Sequence, residues 1–527
     1  MEARERPHET EDNREDGDDG LVGGALVAAN EVADGVVTLE LPFDGGRVAH
    51  SGSHEEARAS RIILARQAMR KTKRRSKASG KHLVYLATAV SALGGMLFGY
   101  DSGVISGAIL FIKKAFALSP GMEEVVVGAV LAGSLLGAAA GGMLADRLGR
   151  RSLLIATALV FALGAVGAAL APGAGWLITA RIVAGIAIGI ASFVSPLYIS
   201  EIAPVAIRGK LVSINQVALT FGIVISYLTD YLYAASEAWR WMLALAVIPA
   251  AAFGSGLMFI PDSPRWLAAR GRKDRARAAL ERIRAPEEVD AELSEIQQSL
   301  EQQQGKWSEL LSPLLRSAMI VGVGLALAQQ VTGINTVIYY APTIFKEAGL
   351  PSASVAILAS VAVGVVNVVF TVVAMQLMDR VGRRPLLLIS LAGMTLSLAV
   401  LGLAFSLPQL AANLGWIAVG SLMIYVGSFA VGLGPVFWLM LSEIYPLRIR
   451  GRAMSVGTVV NWSANAIVAV SFLTLTQGLG KAGTFWLYGA IGIGSWFFAY
   501  FLVPETKGKT LEEIEAHWRR GSPSRAL

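Results

Sequence analysis

One aspartate interrupts an apolar stretch in a way that indicates chemistry. Asp101 lies in the sequence FGYDSGVISG, within a long apolar segment. A charge at the centre of a membrane-spanning helix costs about 2.5–3.5 kcal/mol on insertion scales, so such residues usually serve ion or proton pathways. By sequence position, Asp101 is the only carboxylate and Arg181 the only cation deep in an apolar segment, and no histidine lies inside one. A low dielectric favours a neutral carboxyl and a nearby arginine favours the carboxylate, so a partner that changes with conformation would let Asp101 bind and release a proton.

A second group of side chains is suited to binding hydroxyl groups. Gln329, Gln330, Asn335, Tyr339 and Tyr340 place amides and phenols along one apolar segment. A sugar site needs directional hydrogen bonds to hydroxyls and a flat apolar surface for the C–H face of the ring. The alternative is that these side chains only join helices through hydrogen bonds, worth about 0.6 kcal/mol each, but fewer polar groups would suffice for that role. We therefore interpret this cluster as part of a sugar-binding site.

The scaffold that must position these groups is a set of membrane helices. The 527-residue chain is 54% hydrophobic and only 16% charged, with a mean hydropathy of +0.55. About twelve apolar segments recur, each near the roughly 20 residues that a helix needs to cross the bilayer. The sequence thus predicts an all-α membrane protein with twelve transmembrane helices. The absence of cysteine excludes disulfides and thiolate metal sites; no metal site, cofactor or enzymatic activity is predicted.

An internal repeat divides the helices into two halves. DRLGRR at Asp146 returns as DRVGRR at Asp379, and EIAPVAIRGK at Glu201 returns as EIYPLRIRGR at Glu443, each about 240 residues later. Such repeats place a substrate site at the membrane midplane between the halves, with transport by rocking one half against the other. The predicted organisation is a disordered cytoplasmic arm (1–82), a six-helix bundle (83–260), cytoplasmic linker helices (261–316), a second six-helix bundle (317–503) and a cytoplasmic tail (504–527).

The repeated motifs bring acids and bases together at helix ends. Exposed pairs there contribute only about 0–1 kcal/mol each, so basic anchors that fix topology are one interpretation. Repetition in both halves favours a cytoplasmic gate whose ion pairs form when that side closes and break when it opens. The predicted gate residues are Asp146, Arg147, Arg150, Arg151, Glu201, Arg208, Asp379, Arg380, Arg383, Arg384, Glu443 and Arg450.

The placement of Lys and Arg predicts the orientation. Basic clusters such as RKTKRRSK, DRLGRR and IRGK alternate with loops such as APGAG that carry no basic residue. The positive-inside rule then puts both termini and the linker in the cytoplasm. The net charge of +7 lies at these membrane flanks and requires no nucleic-acid partner. We expect a multi-pass protein of the plasma (inner) membrane, in contact with the lipid bilayer and functional as a monomer.

Nine motifs in order make residues 83 to about 512 similar to the sugar porters of the major facilitator superfamily. They are GYDSGVISG, GGMLADRLGRR, SPLYISEIAPVAIRGK, PDSPRWL, QQVTGINTVIYY, DRVGRR, GPVFWLMLSEIYPLRIRGR, NW at Asn461, and PETKGKT. The resemblance implies the major facilitator fold and alternating access. It also implies a charged gate network and an Asp–Arg pair like Asp101 and Arg181, as in the proton-coupled members. The positions that resemble sugar contacts in the family are Phe98, Gln216, Gln329, Gln330, Asn335, Tyr339, Asn367, Gly434, Trp438, Asn461 and Trp462.

Together these patterns predict secondary active uptake of a monosaccharide, a hexose or pentose, by proton symport. One alternative is a facilitative uniporter in which Asp101 and Arg181 form a permanent ion pair; Asn335 occupies the repeat-related position without a charge. Another is a myo-inositol–proton symporter, because the contact amides are shared by family members that handle several sugars and polyols. A non-transporting sugar receptor is disfavoured, since such sensors carry long cytoplasmic C-terminal tails.

Overall fold

The computed structural model describes residues 54–301, 307–312, 315–446, 448–509 and 511–519, and the regular structure in these ranges is helical. The first half of the chain forms helices α1 (His54–Ala115), α2 (Pro120–Leu148), α3 (Arg150–Ala169), α4 (Ala174–Ile202), α5 (Arg208–Ala234), α6 (Trp239–Ala244) and α7 (Val247–Phe259), with a 3₁₀ turn at Val205–Ile207. The segment between the halves contains α8 (Pro264–Ala269), α9 (Lys273–Ile283), α10 (Pro286–Glu301) and a 3₁₀ turn at Trp307–Leu311.

The second half repeats the helical pattern. It comprises α11 (Arg316–Val331), α12 (Ile334–Glu347), α13 (Ala353–Val381), α14 (Arg383–Ser406), α15 (Leu414–Val431), α16 (Leu433–Glu443), α17 (Arg450–Ala469) and α18 (Phe472–Leu502), with a 3₁₀ turn at Pro408–Asn413 and a final α19 (Leu511–Arg519).

Eleven helical segments of the described chain are long and apolar enough to cross a membrane, close to the predicted twelve. The difference lies at α17, which carries the buried amides Asn461 and Asn465 and is too polar to qualify by composition. The following helix, α18, is interrupted at Gly480 (φ 74°, ψ 165°), a left-handed conformation that glycine adopts readily. A hydropathy criterion therefore fails to identify α17, a helix whose polar side chains face inward, as a membrane span.

The first part of α1 departs from the sequence prediction. Residues 54–82 were expected to be disordered, whereas the structure has them as helix. The segment EEARASRIILARQAMRKTKRR is rich in Ala and Arg, which have high helix propensity even where no apolar face repeats. Residues 1–53 of the predicted arm lie outside the described residues.

Helices α2 and α4 approach closely because glycines line their contact. A Cβ atom at Gly133 would lie 2.1 Å from the carbonyl oxygen of Ile182, and one at Gly185 would lie 2.1 Å from that of Val130. Only glycine allows backbones to meet at this distance, and small residues are the usual interface between membrane helices. The close approach brings Arg181 of α4 within reach of the α2 backbone.

The seventh crossing is built from two helices instead of one. Helix α11 ends at Val331 and α12 begins at Ile334, with Gly333 between them in the left-handed region (φ 94°, ψ 17°). The Thr332 carbonyl freed by this break accepts a hydrogen bond from the Tyr425 hydroxyl (2.7 Å). Because the break falls between Gln330 and Asn335, it places amides from both helices side by side; discontinuous helices of this kind form substrate sites in transporters.

Candidate functional site

The structure brings Asp101 and Arg181 together inside the first half. Arg181 Nη2 lies 3.5 Å from Asp101 Oδ2, and the two residues are 1% and 7% exposed. The Arg181 Nε atom donates a hydrogen bond to the carbonyl of Val126 (2.9 Å), so the guanidinium is held by the α2 backbone. Asp101 Oδ2 is buried and has no hydrogen-bond partner within the described residues. The carboxylate therefore has a cation in range without a full set of hydrogen bonds.

The structure contradicts the prediction that Asp101 is the only deeply placed carboxylate. Asp230, on α5, is 0% exposed; its Oδ2 atom accepts a hydrogen bond from the Gly107 N–H (3.2 Å), and its Oδ1 atom has no partner in the described chain. Its position near the end of a predicted span indicated solvent. Distance from a helix end does not set burial here, because α1 packs over Asp230 at Gly107, where a Cβ would lie 2.4 Å from Oδ2.

Asp230 tests whether burial alone makes a carboxylate functional. We expect Asp230→Asn to keep proton-driven uptake within about twofold of the native rate, because asparagine retains the acceptor for the Gly107 N–H and the other oxygen forms no hydrogen bond that would be lost. The measurement is uptake into proteoliposomes under a pH gradient. Loss of accumulation with intact exchange would show instead that Asp230 carries a proton.

Four of the predicted sugar-binding amides form one hydrogen-bonded network. Asn335 Nδ2 donates to Gln330 Oε1 (2.6 Å), and Gln330 Nε2 donates to Asn461 Oδ1 (3.2 Å). Asn461 Nδ2 donates to Gln329 Oε1 (2.7 Å), and Gln329 Nε2 donates to the Gly434 carbonyl (3.1 Å). The network joins α11, α12, α16 and α17, so each amide is oriented by the next. Connected polar groups of this kind fix side-chain orientation before a ligand arrives.

Aromatic rings lie beside this network. Phe98, from the first half, contacts Trp462 of the second half, with ring centroids 5.3 Å apart and planes inclined at 43°. Trp462 follows Asn461 directly in α17, so the ring pair joins the two halves next to the amides. Trp438 packs against Phe437 (centroids 4.7 Å apart) and is 39% exposed, which leaves part of its indole accessible as a ring platform requires.

The remaining predicted sugar contacts are placed outside the network. Asn367 is buried and accepts a hydrogen bond from Thr371 Oγ1 (3.5 Å), whereas Gln216 is half-buried. Tyr339 is 1% exposed, and its hydroxyl lies near Ser102 and Asn465 without a hydrogen bond of normal geometry. In the part of the chain that the structure describes, no hydrogen bond joins Gln216, Asn367, Tyr339 or Trp438 to the network.

Two polar residues near Tyr339 were missed by the sequence reasoning. Asn465 is 2% exposed, and its Oδ1 atom has no hydrogen-bond partner among the described residues; Ser102 is 7% exposed. Asn465 lies four residues after Asn461, on the same face of α17, and Ser102 follows Asp101 directly. Helical spacing from a predicted site residue is the signal that would have identified Asn465.

The predicted gate residues of the first half form a cluster at one end of the bundle. Arg150 Nη2 lies 3.0 Å from Glu201 Oε1, and Arg150 Nη1 lies 3.1 Å from Asp146 Oδ1. Ser263 donates its hydroxyl to Glu201 Oε2. Arg151 Nε donates to the Leu257 carbonyl (2.8 Å), which fastens α3 to the end of α7. The cluster links α2, α3, α4 and the start of α8.

The second half reproduces this cluster. Arg383 Nη2 lies 2.9 Å from Glu443 Oε1, and Thr506 donates its hydroxyl to Glu443 Oε2. Arg384 Nη2 donates to the Tyr500 carbonyl (2.7 Å), as Arg151 does to Leu257 in the first half. For these residues the sequence repeat is therefore also a repeat of contacts.

The other predicted gate residues form no ion pair with an acidic gate residue among the described side chains. Arg450 donates to the Tyr445 carbonyl (3.2 Å), while Arg147, Arg208 and Arg380 are exposed. The side chain of Asp379 lies outside the described residues.

At the end of the bundle opposite the charged clusters, hydrogen bonds join the two halves. Glu124 of α2 accepts from both the backbone N–H (2.8 Å) and the hydroxyl (2.7 Å) of Thr474 in α18. Nearby, α2 and the end of α17 touch so closely that a Cβ at Gly128 would lie 2.3 Å from Val470 Cγ1. The halves are thus held together at this end, whereas the ion pairs of Arg150 and Arg383 described above each stay within one half.

Comparison with known proteins matches this architecture. Residues 87–518 match the model of the family described as sugar (and other) transporter. The D-xylose transporter of Levilactobacillus brevis is 42% identical over 431 residues, covering 81% of this chain and 94% of that protein. The galactose-proton symporter of Escherichia coli (strain K12) is 38% identical over 451 residues, covering 85% and 97%. The solved inward open conformation of the xylose transporter XylE from E. coli gives a TM-score of 0.72 at 36% identity, covering 82% of this chain and 100% of that chain.

Proposed function

Because the chain belongs to the sugar (and other) transporter family and is therefore a multi-pass membrane transporter and not an enzyme, we propose that it carries a monosaccharide across the membrane together with a proton. The observation that carries this proposal is the buried pair of Asp101 and Arg181, in which the described residues give Asp101 Oδ2 no hydrogen bond. A second support is the relative named as a galactose-proton symporter.

In the proposed cycle, Asp101 alternates between a charged form paired with Arg181 and a protonated form. Charged Asp101 is stabilised by Arg181; protonated Asp101 no longer needs that cation, and Arg181 keeps its hydrogen bond to the Val126 carbonyl. A permanent structural pair would be expected to satisfy both carboxylate oxygens by hydrogen bonds, because a buried charge is otherwise costly. The unpartnered Oδ2 atom at 3.5 Å from Arg181 therefore supports symport over uniport.

The sugar is proposed to bind at the amide network and the rings beside it. The amides of Gln329, Gln330, Asn335 and Asn461 each offer a donor and an acceptor, which suits a polyhydroxylated ring. Phe98 precedes Asp101 by one helical turn and contacts Trp462, so the proposed proton site and the proposed sugar site are adjacent. Sugar and proton would then load the same conformational state.

The substrate class is proposed to be a hexose or a pentose. The relatives named for xylose and galactose have similar identities to this chain, 42% and 38%, so similarity supports the class more than one member of it. Hydroxyl configurations or a CH₂OH group distinguish these sugars, and a hydrogen-bonding site discriminates strongly only where its geometry leaves a buried group unpaired.

Alternating access is proposed to use the charged clusters as the cytoplasmic gate. The placement of basic residues supports a cytoplasmic location for these clusters, both termini and the linker, in a plasma membrane. The hydrogen bonds of Glu124 and Thr474 then lie at the outer end. On this assignment the described conformation has its outer end closed.

Transport by purified protein in proteoliposomes tests the proposal. We expect a pH gradient, acidic outside, to drive at least one labelled sugar from a panel of xylose, arabinose, galactose, glucose and myo-inositol above its equilibrium concentration. A protonophore should abolish the accumulation, and adding that sugar should alkalinise a weakly buffered medium. Equilibration without accumulation would identify a uniporter, and accumulation of myo-inositol alone would replace the substrate class.

A further inference from the structure

A tyrosine of the first half reaches across to a helix of the second half. The Tyr227 hydroxyl, on α5, donates a hydrogen bond to the backbone carbonyl of Ile338 in α12 (2.9 Å). Tyr227 is 2% exposed and packs against α13 at Gly364, where a Cβ would lie 3.2 Å from its ring. The bond is therefore a direct, part-buried link between the two halves.

The Ile338 carbonyl is available because of a proline. Pro342 lies inside α12, four residues after Ile338, and proline has no N–H to donate to that carbonyl. Inside a membrane protein a carbonyl left in this way needs another donor, from a neighbouring side chain or from ordered water. Tyr227 provides that donor from the other half of the molecule.

Helix α12 carries part of the proposed sugar site. It begins just after the left-handed turn at Gly333, and it contains Asn335 of the amide network and Tyr339. Ile338 lies between these two residues in the helix, which ends at Glu347. Whatever fixes α12 against the first half therefore also sets the position of Asn335 and Tyr339.

We propose that Tyr227 is a positioning residue that holds α12 against the first half when the outer end is closed, using the carbonyl that Pro342 leaves without a helical donor. The inference rests on the proposed function in taking this end as the outer one. When the halves separate there, a hydrogen bond between them breaks. Removing the hydroxyl then destabilises the closed state and leaves the open state unchanged.

The accessibility of a buried cysteine to a reagent outside the vesicle measures the equilibrium between the closed and open states of the outer end. The chain contains no cysteine, so a single introduced cysteine gives an unambiguous signal. Ser360 on α13 is 0% exposed and lies one turn from Gly364, the residue that contacts Tyr227. In a Ser360→Cys background, in right-side-out vesicles without sugar, a membrane-impermeant maleimide should react only when the outer end opens.

Tyr227→Phe should raise the labelling rate about three- to tenfold, the range expected for one hydrogen bond between the halves. Tyr100→Phe is the matched control. Its hydroxyl also donates to a backbone carbonyl at 2.9 Å, that of Met242, and it is also 2% exposed, but both partners belong to the first half. We expect the control to change labelling by less than about twofold.

Pro342→Ala identifies the acceptor. Alanine at this position restores the N–H that the Ile338 carbonyl lacks, so adding Tyr227→Phe to Pro342→Ala should change labelling by less than about twofold. An unchanged rate in Tyr227→Phe alone, or an equal increase with and without Pro342→Ala, would overturn the proposal. Because no transported sugar is needed, these outcomes remain readable if the chain proves to be a uniporter or to carry a different substrate.

Discussion

We expect Asp101→Asn to abolish proton-driven accumulation of sugar and to leave exchange of sugar across the membrane intact. The amide keeps the shape of the side chain but cannot take up and release a proton, so the gradient has no site through which to act. Arg181 loses its ionic partner at 3.5 Å but keeps its hydrogen bonds to the α2 backbone at Val126 and Val127, which limits the loss of stability. The measurement compares uptake under a pH gradient with counterflow, in which labelled sugar exchanges for unlabelled sugar without a gradient.

Asp230→Asn is the control for this experiment. Both residues are buried carboxylates in membrane helices of the same half, but only Asp101 has an arginine within ion-pair distance in the described chain. Accumulation lost in Asp101→Asn and kept in Asp230→Asn would assign coupling to the carboxylate that has a cation partner. Equal accumulation in native protein and Asp101→Asn would make the pair structural and favour uniport.

The sequence predicted most of what is local or repeated. The DRLGRR and DRVGRR motifs predicted two related clusters, and the structure pairs Arg150 with Glu201 as it pairs Arg383 with Glu443. The spacing of Gln329, Gln330 and Asn335 predicted that their amides lie close together. Residues near one another on one membrane crossing stay close in space even where the helix is interrupted.

Features that depend on contacts between helices could not be predicted. The burial of Asp230 follows from the packing of α1 over α5, and the pairing of Glu124 with Thr474 joins residues from opposite ends of the chain. The burial of the amides of α17 also depends on contacts between helices, because these amides face other helices. A hydropathy average over the length of α17 therefore does not identify it as a membrane helix. Periodicity shows which face of a helix is polar but not what covers it.

Gln330→Leu should raise the KM for sugar about ten- to a hundredfold. Leucine removes the amide that accepts from Asn335 and donates to Gln329 and Asn461, so the network loses its centre. Leucine also cannot form the hydrogen bonds that the amide would make to a sugar hydroxyl. Each buried hydroxyl left unpaired in the bound state costs about 1–3 kcal/mol of binding free energy, and 1.4 kcal/mol corresponds to a factor of ten in affinity. Initial rates of uptake over a range of sugar concentrations, under a saturating gradient, give KM and kcat separately.

A general loss of stability must be separated from a loss of binding. Thr336→Val is the matched control, because Thr336 is also buried on α12, next to Asn335, and its hydroxyl contacts Tyr488 (3.4 Å) outside the network. We expect it to lower the thermal unfolding temperature without raising KM. If Gln330→Leu lowers the unfolding temperature as the control does and leaves KM unchanged, the amides serve only to hold helices together. A raised KM at similar stability would instead assign them to the sugar, because only the bound state would then have lost interactions.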